Sequence, residues 1–367
     1  PAGWMHYRYP FIYGQPDTRQ FPLATWRSAA NWLHGGVRDP AWVIDHIDQD
    51  VPMLIEQIRT RVLPKRGIVA APDEILITLG SQNALYLLTR LLLSSTTRIG
   101  VENPCFREAI NTFLLADAEV VPHPVDEEGI VLNERPCDYY YVTPGHQVPT
   151  GVTMSSARRR QLLEHAARHD AVIIEDDYDS ESNFTLNPLP ALKASDRSGR
   201  VVYVSSLSKA LSPGLRLGFM VADPDLIDEA RALRRLVYRH PPTNIQYQMA
   251  HFLAQGHYET HLRRYHYDSA QRWERLHAAL QRYLPSCRAL AGSEHANAFW
   301  LQTPAQINTQ QLTWRAAHAG VLIEPGARHF LSAAPPDNYF RMGFHAINPD
   351  AIAQGVEVLR GQLEQMG

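Results

Sequence analysis

The sequence predicts an α/β protein with a mostly parallel central sheet flanked by helices, followed by a smaller α+β C-terminal part. Between about residues 51 and 245, short apolar runs alternate with helical stretches, and parallel strands need such crossover helices. The strand runs are continuously apolar, as burial on both faces of a sheet requires. After Pro241-Pro242 the rhythm changes to a helix-rich stretch followed by scattered short strands.

In chain order, residues 1–50 read as an N-terminal arm, extended because Tyr13-Gly14-Gln15-Pro16-Asp17 and Gln20-Phe21-Pro22 interrupt any long periodic element. A large domain over 51–245 opens with a helical stretch from Leu54 to Leu63. Its strands are expected at Glu74 to Thr78, Arg98 to Val101, Tyr139 to Thr143, Ala171 to Glu175, Val201 to Val204 and Gly218 to Val221. Helical patterns fall at Gln82 to Leu93, Arg107 to Leu115, Ser155 to His169 and Asp225 to Tyr238. A small C-terminal domain, 246–367, continues helical to about Leu284. It then gives strand-like runs at Ala298 to Gln302, Val321 to Glu324 and Tyr339 to Gly343, with helices at Thr309 to His318 and Pro349 to Met366.

The 367 residues are 45% hydrophobic and 20% charged, which excludes wholesale disorder. Lys and Arg total 35 against 38 Asp and Glu, a net charge of −3, so there is no global electrostatic reason to bind nucleic acid. Three cysteines, Cys105, Cys137 and Cys287, without CxxC spacing, argue against a disulfide framework and fit a reducing cytoplasm. No apolar stretch approaches a membrane span, and no signal peptide is visible at the start. The first residue is Pro1 rather than an initiator methionine, as expected of a processed protein or one domain of a longer polypeptide.

Three segments carry chemistry. In Ser205-Ser206-Leu207-Ser208-Lys209, a lysine follows a buried strand among hydroxyls, and Arg216 comes seven residues later. That combination presents one amine and several phosphate-binding groups to a single ligand, although a lone Ser-x-Lys is more often a polar loop. Glu175-Asp176-Asp177-Tyr178-Asp179 ends a buried strand, where open α/β sheets bind ligands. A carboxylate there could hold a pyridine nitrogen protonated, but equally could serve a metal site or a helix cap. Thr78-Leu79-Gly80-Ser81-Gln82 is a strand, a glycine turn and a helix start, a common arrangement that also suits phosphate.

Together these segments resemble pyridoxal-phosphate proteins of the aspartate-aminotransferase fold type, fold type I, and within it the aminotransferase-like domain of MocR/GabR-type regulators. The similarity runs through Glu-Asp-Asp-Tyr-Asp-Ser-Glu at 175–181, Pro-Leu-Pro-Ala-Leu-Lys at 188–193, Pro-Gly-His-Gln-Val-Pro-Thr-Gly at 144–151 and Leu-Ser-Lys-Ala-Leu-Ser-Pro-Gly-Leu-Arg-Leu-Gly at 207–218. The resemblance implies pyridoxal 5'-phosphate as cofactor, carried covalently by Lys209, which also shuttles a proton. It implies Asp176 on the pyridine nitrogen and Tyr178 on the phenolic oxygen. It assigns Ser206, Ser208 and Arg216, with the backbone of Ser81 and Gln82, to the phosphate, and Phe106 to ring stacking. Arg341 matches the arginine that grips a substrate carboxylate, a bidentate task.

The sequence departs from the fold type's usual Asn-Pro-Thr-Gly, because Val148 precedes Pro149. The missing asparagine contact would come from Gln147 or His146, or be absent. His257 and His261 lie four apart on a helical stretch, but without a third ligand no metal site is expected. Arg231, Arg234, Arg235 and Arg239 suit a solvated or interface face better than nucleic acid. The aromatics from Trp4 to Tyr13 suit an arm packing on a partner subunit, so by analogy a homodimer is expected.

Two functions share these residues. One is an effector-sensing domain forming Schiff bases with an amino acid or related amine, in a regulator that reaches DNA through a separate N-terminal domain. The other is a stand-alone aminotransferase of amino-acid metabolism. Aminotransferase chemistry, at least as a half-reaction, is expected in either case.

Overall fold

A computed structural model describes residues 3–35, 41–133, 135–184, 188–290 and 296–366. Residues 1–2 and 36–40 of the expected arm lie outside that description. The chain begins with a short strand, β1 (Tyr9–Pro10), and helices α1 (Leu23–Gly35) and α2 (Pro52–Gln57). There follow β2 (Ile75–Thr78), α3 (Ser81–Leu92), β3 (Arg98–Asn103), α4 (Arg107–Leu114), β4 (Glu119–Asp126), β5 (Gly129–Ile130) and β6 (Tyr139–Val142). Next come α5 (Ser156–His169), β7 (Val172–Asp177), β8 (Val201–Ser206), β9 (Gly218–Val221), α6 (Pro224–Val237), α7 (Thr243–Ala254) and the long α8 (His257–Tyr283). The chain ends with β10 (Arg288–Ala289), β11 (Ala298–Gln302), α9 (Thr309–His318), β12 (Val321–Leu322), β13 (Glu324–Pro325), β14 (Tyr339–Gly343) and α10 (Ile352–Glu364).

The larger sheet has the order β2-β9-β8-β7-β6-β3-β4-β5. Strands β3, β4, β6, β7 and β8 run parallel, while β9 is antiparallel to both its neighbours. The reversal matters to the site. Because β9 returns directly beside β8, the loop 207–217 never leaves the carboxyl end of β8, and Lys209 and Arg216 stay at the edge where Asp176 ends β7. Gly218 permits the close approach, since a Cβ there would lie 2.7 Å from the Cα of Gly80 and from the Ser205 carbonyl. Apolar faces of β2, β8 and β9 pack against α2 and α7, and Leu76, Val101, Tyr141 and Ile174 pack against α3 and α4.

The smaller sheet, β10-β11-β14-β13, is antiparallel and shares its core with α8, α9 and α10. The arm is part of that core: β1 pairs with β12, and Tyr9 and Phe11 are buried among Val321, Phe340 and Val356. No helix among the described residues is long and apolar enough to cross a membrane.

Four local expectations are corrected. The arm is not wholly extended, because α1 forms directly after Pro22, which initiates rather than breaks the helix. The helix expected at Leu54 to Leu63 ends at Gln57, passing into a wider turn over Ile58–Val62 and a tight one over Leu63–Arg66, where Pro64 lacks an amide donor. Strand β4 is not among the expected strands; it carries Pro122 and Pro124 and lies near the sheet edge, where proline is tolerated. The run Val321 to Glu324 splits between β12, which pairs with the arm, and β13, which joins the smaller sheet.

Candidate active site

The carboxyl ends of β7 and β8, the start of α3, the arm and the smaller sheet enclose a cavity of about 350 Å³. Of the residues singled out from the sequence, Ser81, Gln82, Phe106, Asp176, Tyr178, Ser206, Ser208, Lys209, Arg216 and Arg341 all line it. Gln147 does not.

Asp176 is buried at the end of β7, and the Tyr141 hydroxyl donates to its Oδ2 at 2.9 Å. Its Oδ1 is buried with no hydrogen-bond partner. Burial pushes the Asp176 carboxyl up to about 7, against the opposing pull of the Tyr141 hydrogen bond, with Asp177 and Asp179 adding repulsion. The neighbouring acids have structural duties. Glu175 accepts from the amides of Leu192 and Lys193, and Asp177 accepts from Arg66 Nε at 2.7 Å and from the Tyr203 hydroxyl at 2.8 Å. Asp179 bonds His146 Nδ1 at 3.0 Å and accepts from Asn297 Nδ2 at 2.9 Å. Arg66 and Asp177 are both almost wholly buried, so Arg66→Ala would leave an unpaired carboxylate in the interior. Urea unfolding of the cofactor-free protein should show a loss of about 3–5 kcal/mol.

Lys209, part-buried in the loop after β8, has its amine 4.1 Å from the Tyr13 ring centre and 5.1 Å from that of Tyr178. Burial lowers it to about 8, with the Asp179 carboxylate opposing and the Arg341 guanidinium assisting. Arg216 adopts a left-handed backbone conformation and donates from Nη2 to the Leu79 carbonyl at 2.9 Å. Gly80 suits glycine because its φ is +84°, and the Arg216 guanidinium packs against it, 2.8 Å from where a Cβ would lie. Gln82 turns its side chain away to Thr112, which leaves its backbone to the cavity.

Three expected contacts look different in three dimensions. The Ser208 hydroxyl donates to the Leu217 carbonyl at 2.9 Å and accepts the Leu217 amide at 2.7 Å, so its one proton pins the loop. The Tyr178 hydroxyl donates to the His146 carbonyl at 3.1 Å. Gln147 donates to the Pro104 carbonyl and to buried Glu102 and accepts from Thr150, so the wall that might have replaced an asparagine is apolar Val148. His146 is buried against Asp179 and does not line the cavity.

Several lining residues were not foreseen. Tyr13, at a turn of the arm, lies between Lys209 and Arg341, whose guanidinium is 3.5 Å from its ring centre. Tyr141 had a signal, because a tyrosine inside a buried strand needs a hydroxyl partner. Glu108 comes from the first turn of α4, Glu324 from β13, and Arg328 and His329 from the short turn over 327–329, and no local pattern marks them. His329 donates from Nδ1 to the Cys105 carbonyl, and burial together with Arg341 pushes it down to about 3, so it is neutral.

These residues fit a phosphorylated pyridine aldehyde. The unpartnered Asp176 Oδ1 can accept from a protonated ring nitrogen, and Lys209 supplies an amine whose free base is far more accessible than that of an exposed lysine. The Gly80 cradle offers the first amides of α3 and the Arg216 guanidinium to a phosphate. Fold and site therefore define a pyridoxal-phosphate protein of fold type I. The profile of the family "Aminotransferase class I and II" matches residues 48–359, and the chain belongs to that family.

Among curated proteins, it is 39% identical to the HTH-type transcriptional regulator TauR of Rhodobacter capsulatus, over 95% of this chain and 72% of that protein. It is 33% identical to the probable rhizopine catabolism regulatory protein MocR of Rhizobium meliloti, over 96% of this chain and 72% of the other. Among solved structures, the α-aminoadipate aminotransferase LysN of Thermus thermophilus, complexed with N-(5'-phosphopyridoxyl)-L-leucine, superimposes with a TM-score of 0.86. That match has 27% identity and covers 97% of this chain and 92% of that one.

Proposed function

We propose that the chain is the ligand-sensing domain of a transcriptional regulator. It binds pyridoxal 5'-phosphate and reacts with an amino acid or related amine, while a separate N-terminal domain reads DNA. The observation that carries the reading is the convergence on one cavity of the Lys209 amine, the free Asp176 Oδ1 and a deep arginine, Arg341, whose buried Nε has no partner. Support for regulation rather than metabolism comes from the two regulators of similar sequence. A homodimer and a cytoplasmic setting belong to the same reading, and light scattering reads the former directly.

When bound, the cofactor supplies an electron sink beside the ligand's amino group. The protein's part is positioning and proton transfer. Arg341 offers a planar fork to the ligand carboxylate, stacked on Tyr13 so that few orientations remain. Lys209, lowered to about 8, can take a proton from the ligand Cα near neutral pH and return it. Asp176 holds a proton on the ring nitrogen through Oδ1 while Tyr141 fixes Oδ2.

The test is absorbance spectroscopy of the cofactor-loaded protein titrated with amino acids, followed by addition of a keto acid. Spectral change that stops after one half-reaction supports a sensor, whereas rapid repeated turnover favours a metabolic aminotransferase. In the same assay, Arg341→Ala should raise the half-saturating concentration of carboxylated amines about 10²-fold while cofactor absorbance is retained, as loss of a partly desolvated charge-assisted pair implies. Amines lacking a carboxylate should be nearly indifferent to that substitution.

A further inference from the structure

A second, much smaller cavity, of about 20 Å³, adjoins the first and shares Tyr13, Gly14 and Lys209 with it. Its remaining polar wall is Ser182 in the turn after β7, Tyr265 on α8, Asn297 just before β11 and His345 just after β14. Three atoms on these residues are buried without a hydrogen-bond partner among the described residues: Tyr13 Oη, Ser182 Oγ and Asn297 Oδ1. Tyr13 approaches the Tyr178 hydroxyl and Ser182 that of Tyr265, but neither approach meets hydrogen-bond geometry. Buried polar atoms are costly to leave unpaired, so three on the wall of one cavity call for a shared partner.

The surroundings hold each of the three in place. Asn297 Nδ2 donates to Asp179 at 2.9 Å, which leaves Oδ1 as the free acceptor. The Ser182 amide donates to the Asp179 carbonyl at 2.8 Å, and His266 Nε2 bonds the Glu181 carbonyl at 2.8 Å, so the turn over 180–182 is tied at two points. His345 stacks on Tyr265 and spends its Nε2 on Ser269. The Lys209 amine reaches this cavity too: its Nζ lies 3.6 Å from where a Cβ on Gly14 would be, and Gly14 is part of the same wall.

We infer that this cavity holds one ordered water, shared by Tyr13, Ser182, Asn297 and the Lys209 amine, and that the water is a fixed proton partner for that amine. What the amine then does rests on the function proposed above. A buried water needs roughly 10–15 Å³ and two to four polar partners, and the site offers both. Nothing much larger fits. The Lys209 amine disfavours a cation there, and the Asn297 oxygen disfavours an anion. Water can donate to Asn297 Oδ1 and accept from one hydroxyl, which leaves it one donor and one acceptor. It therefore accepts from Lys209 as an ammonium and donates to it as a free amine. Tyr13, Ser182 and Asn297 are thus positioning residues, acting on the proton-shuttling lysine through the water.

The test reads the Lys209 amine in the cofactor-free protein, by nitrogen NMR of isotope-labelled lysines, with Lys209→Ala identifying its resonance. Ser182→Ala keeps the room and the other partners, so the midpoint near 8 should move by less than about 0.3 unit. Ser182→Val fills the room and expels the water, so the ammonium loses a partner and the midpoint should fall by about one unit. The other groups that act on the amine, Asp176, Asp179, Glu324, Arg341 and the rings of Tyr13 and Tyr178, are the same in both variants. A high-resolution crystal structure of the unaltered protein should show one water within about 3.2 Å of Asn297 Oδ1 and Ser182 Oγ, and it decides the matter even where valine at 182 prevents folding. Equal shifts in the two variants, no fall in Ser182→Val, or an electron-density map without that water would each overturn the assignment. These readouts need no amino-acid ligand, so their failure leaves the proposed function standing, and a protein unresponsive to amino acids would lose that function while keeping the water site.

Discussion

Lys209→Ala protein is expected to hold pyridoxal 5'-phosphate only reversibly, and to respond to amino acids about 10²–10⁴-fold more slowly, the usual contribution of a positioned general base. The chain makes the test unusually clean because it has only three lysines, Lys65, Lys193 and Lys209. Lys193 donates its amine to the Val201 carbonyl, and Lys65 lies 3.8 Å from Glu259; neither lines the cavity. Borohydride reduction followed by peptide mapping should therefore place the whole cofactor on Lys209. Label on either other lysine would overturn the site.

The pH dependence follows from the same residue. An amine reacts as its free base, and lowering Lys209 from 10.5 to about 8 raises the reactive fraction at pH 7 roughly 300-fold. Attachment to the cofactor-free protein should accelerate as pH rises and level off just above 8, rather than climb toward 10 as an exposed lysine would.

The parts of the site legible in the sequence are those fixed by chain-local geometry. Asp176 and Lys209 sit at the ends of neighbouring strands, so recognising β7 and β8 already placed them on one edge. Gly80 and Arg216 were readable as a turn and a cation, although the positive φ at the glycine and the guanidinium packed against it appear only in three dimensions. What stayed hidden depended on side-chain direction or on distant loops. Gln147 was a reasonable substitute for the missing asparagine, yet buried Glu102 and the Pro104 carbonyl draw its amide away from the cavity. Tyr13 and Arg328 arrive from elements more than a hundred residues from Lys209, positioned by β1 on β12 and by β13 on β14. No spacing in the sequence encodes those meetings. The reversed strand β9 was equally invisible, because a continuous apolar run reads the same in either direction.

Asp176→Asn should have opposite effects on the empty and the loaded protein. In the empty protein, burial raises the Asp176 carboxyl from 3.8 to about 7, so the fold favours its protonated form. Below pH 3.8 the group is neutral in both folded and unfolded chains and costs nothing. As pH rises toward 7 the unfolded chain releases this proton and the folded chain retains it, so stability falls and then levels off above 7. An asparagine avoids that penalty while its amide oxygen still accepts from Tyr141. The cofactor-free variant should therefore exceed the wild type in stability on the order of 4 kcal/mol at pH 8, with the gap shrinking toward pH 4. With cofactor present the sign reverses, since a neutral amide cannot hold a proton on the pyridine nitrogen. The variant should lose about 10²-fold or more in spectral response to amino acids, and its cofactor affinity should fall. Urea unfolding at several pH values, with and without pyridoxal 5'-phosphate, reads both halves. A cofactor-free variant no more stable than the wild type at pH 8 would show that Asp176 is not desolvated as the cavity implies, and an unchanged response in the loaded variant would remove it from the ring nitrogen.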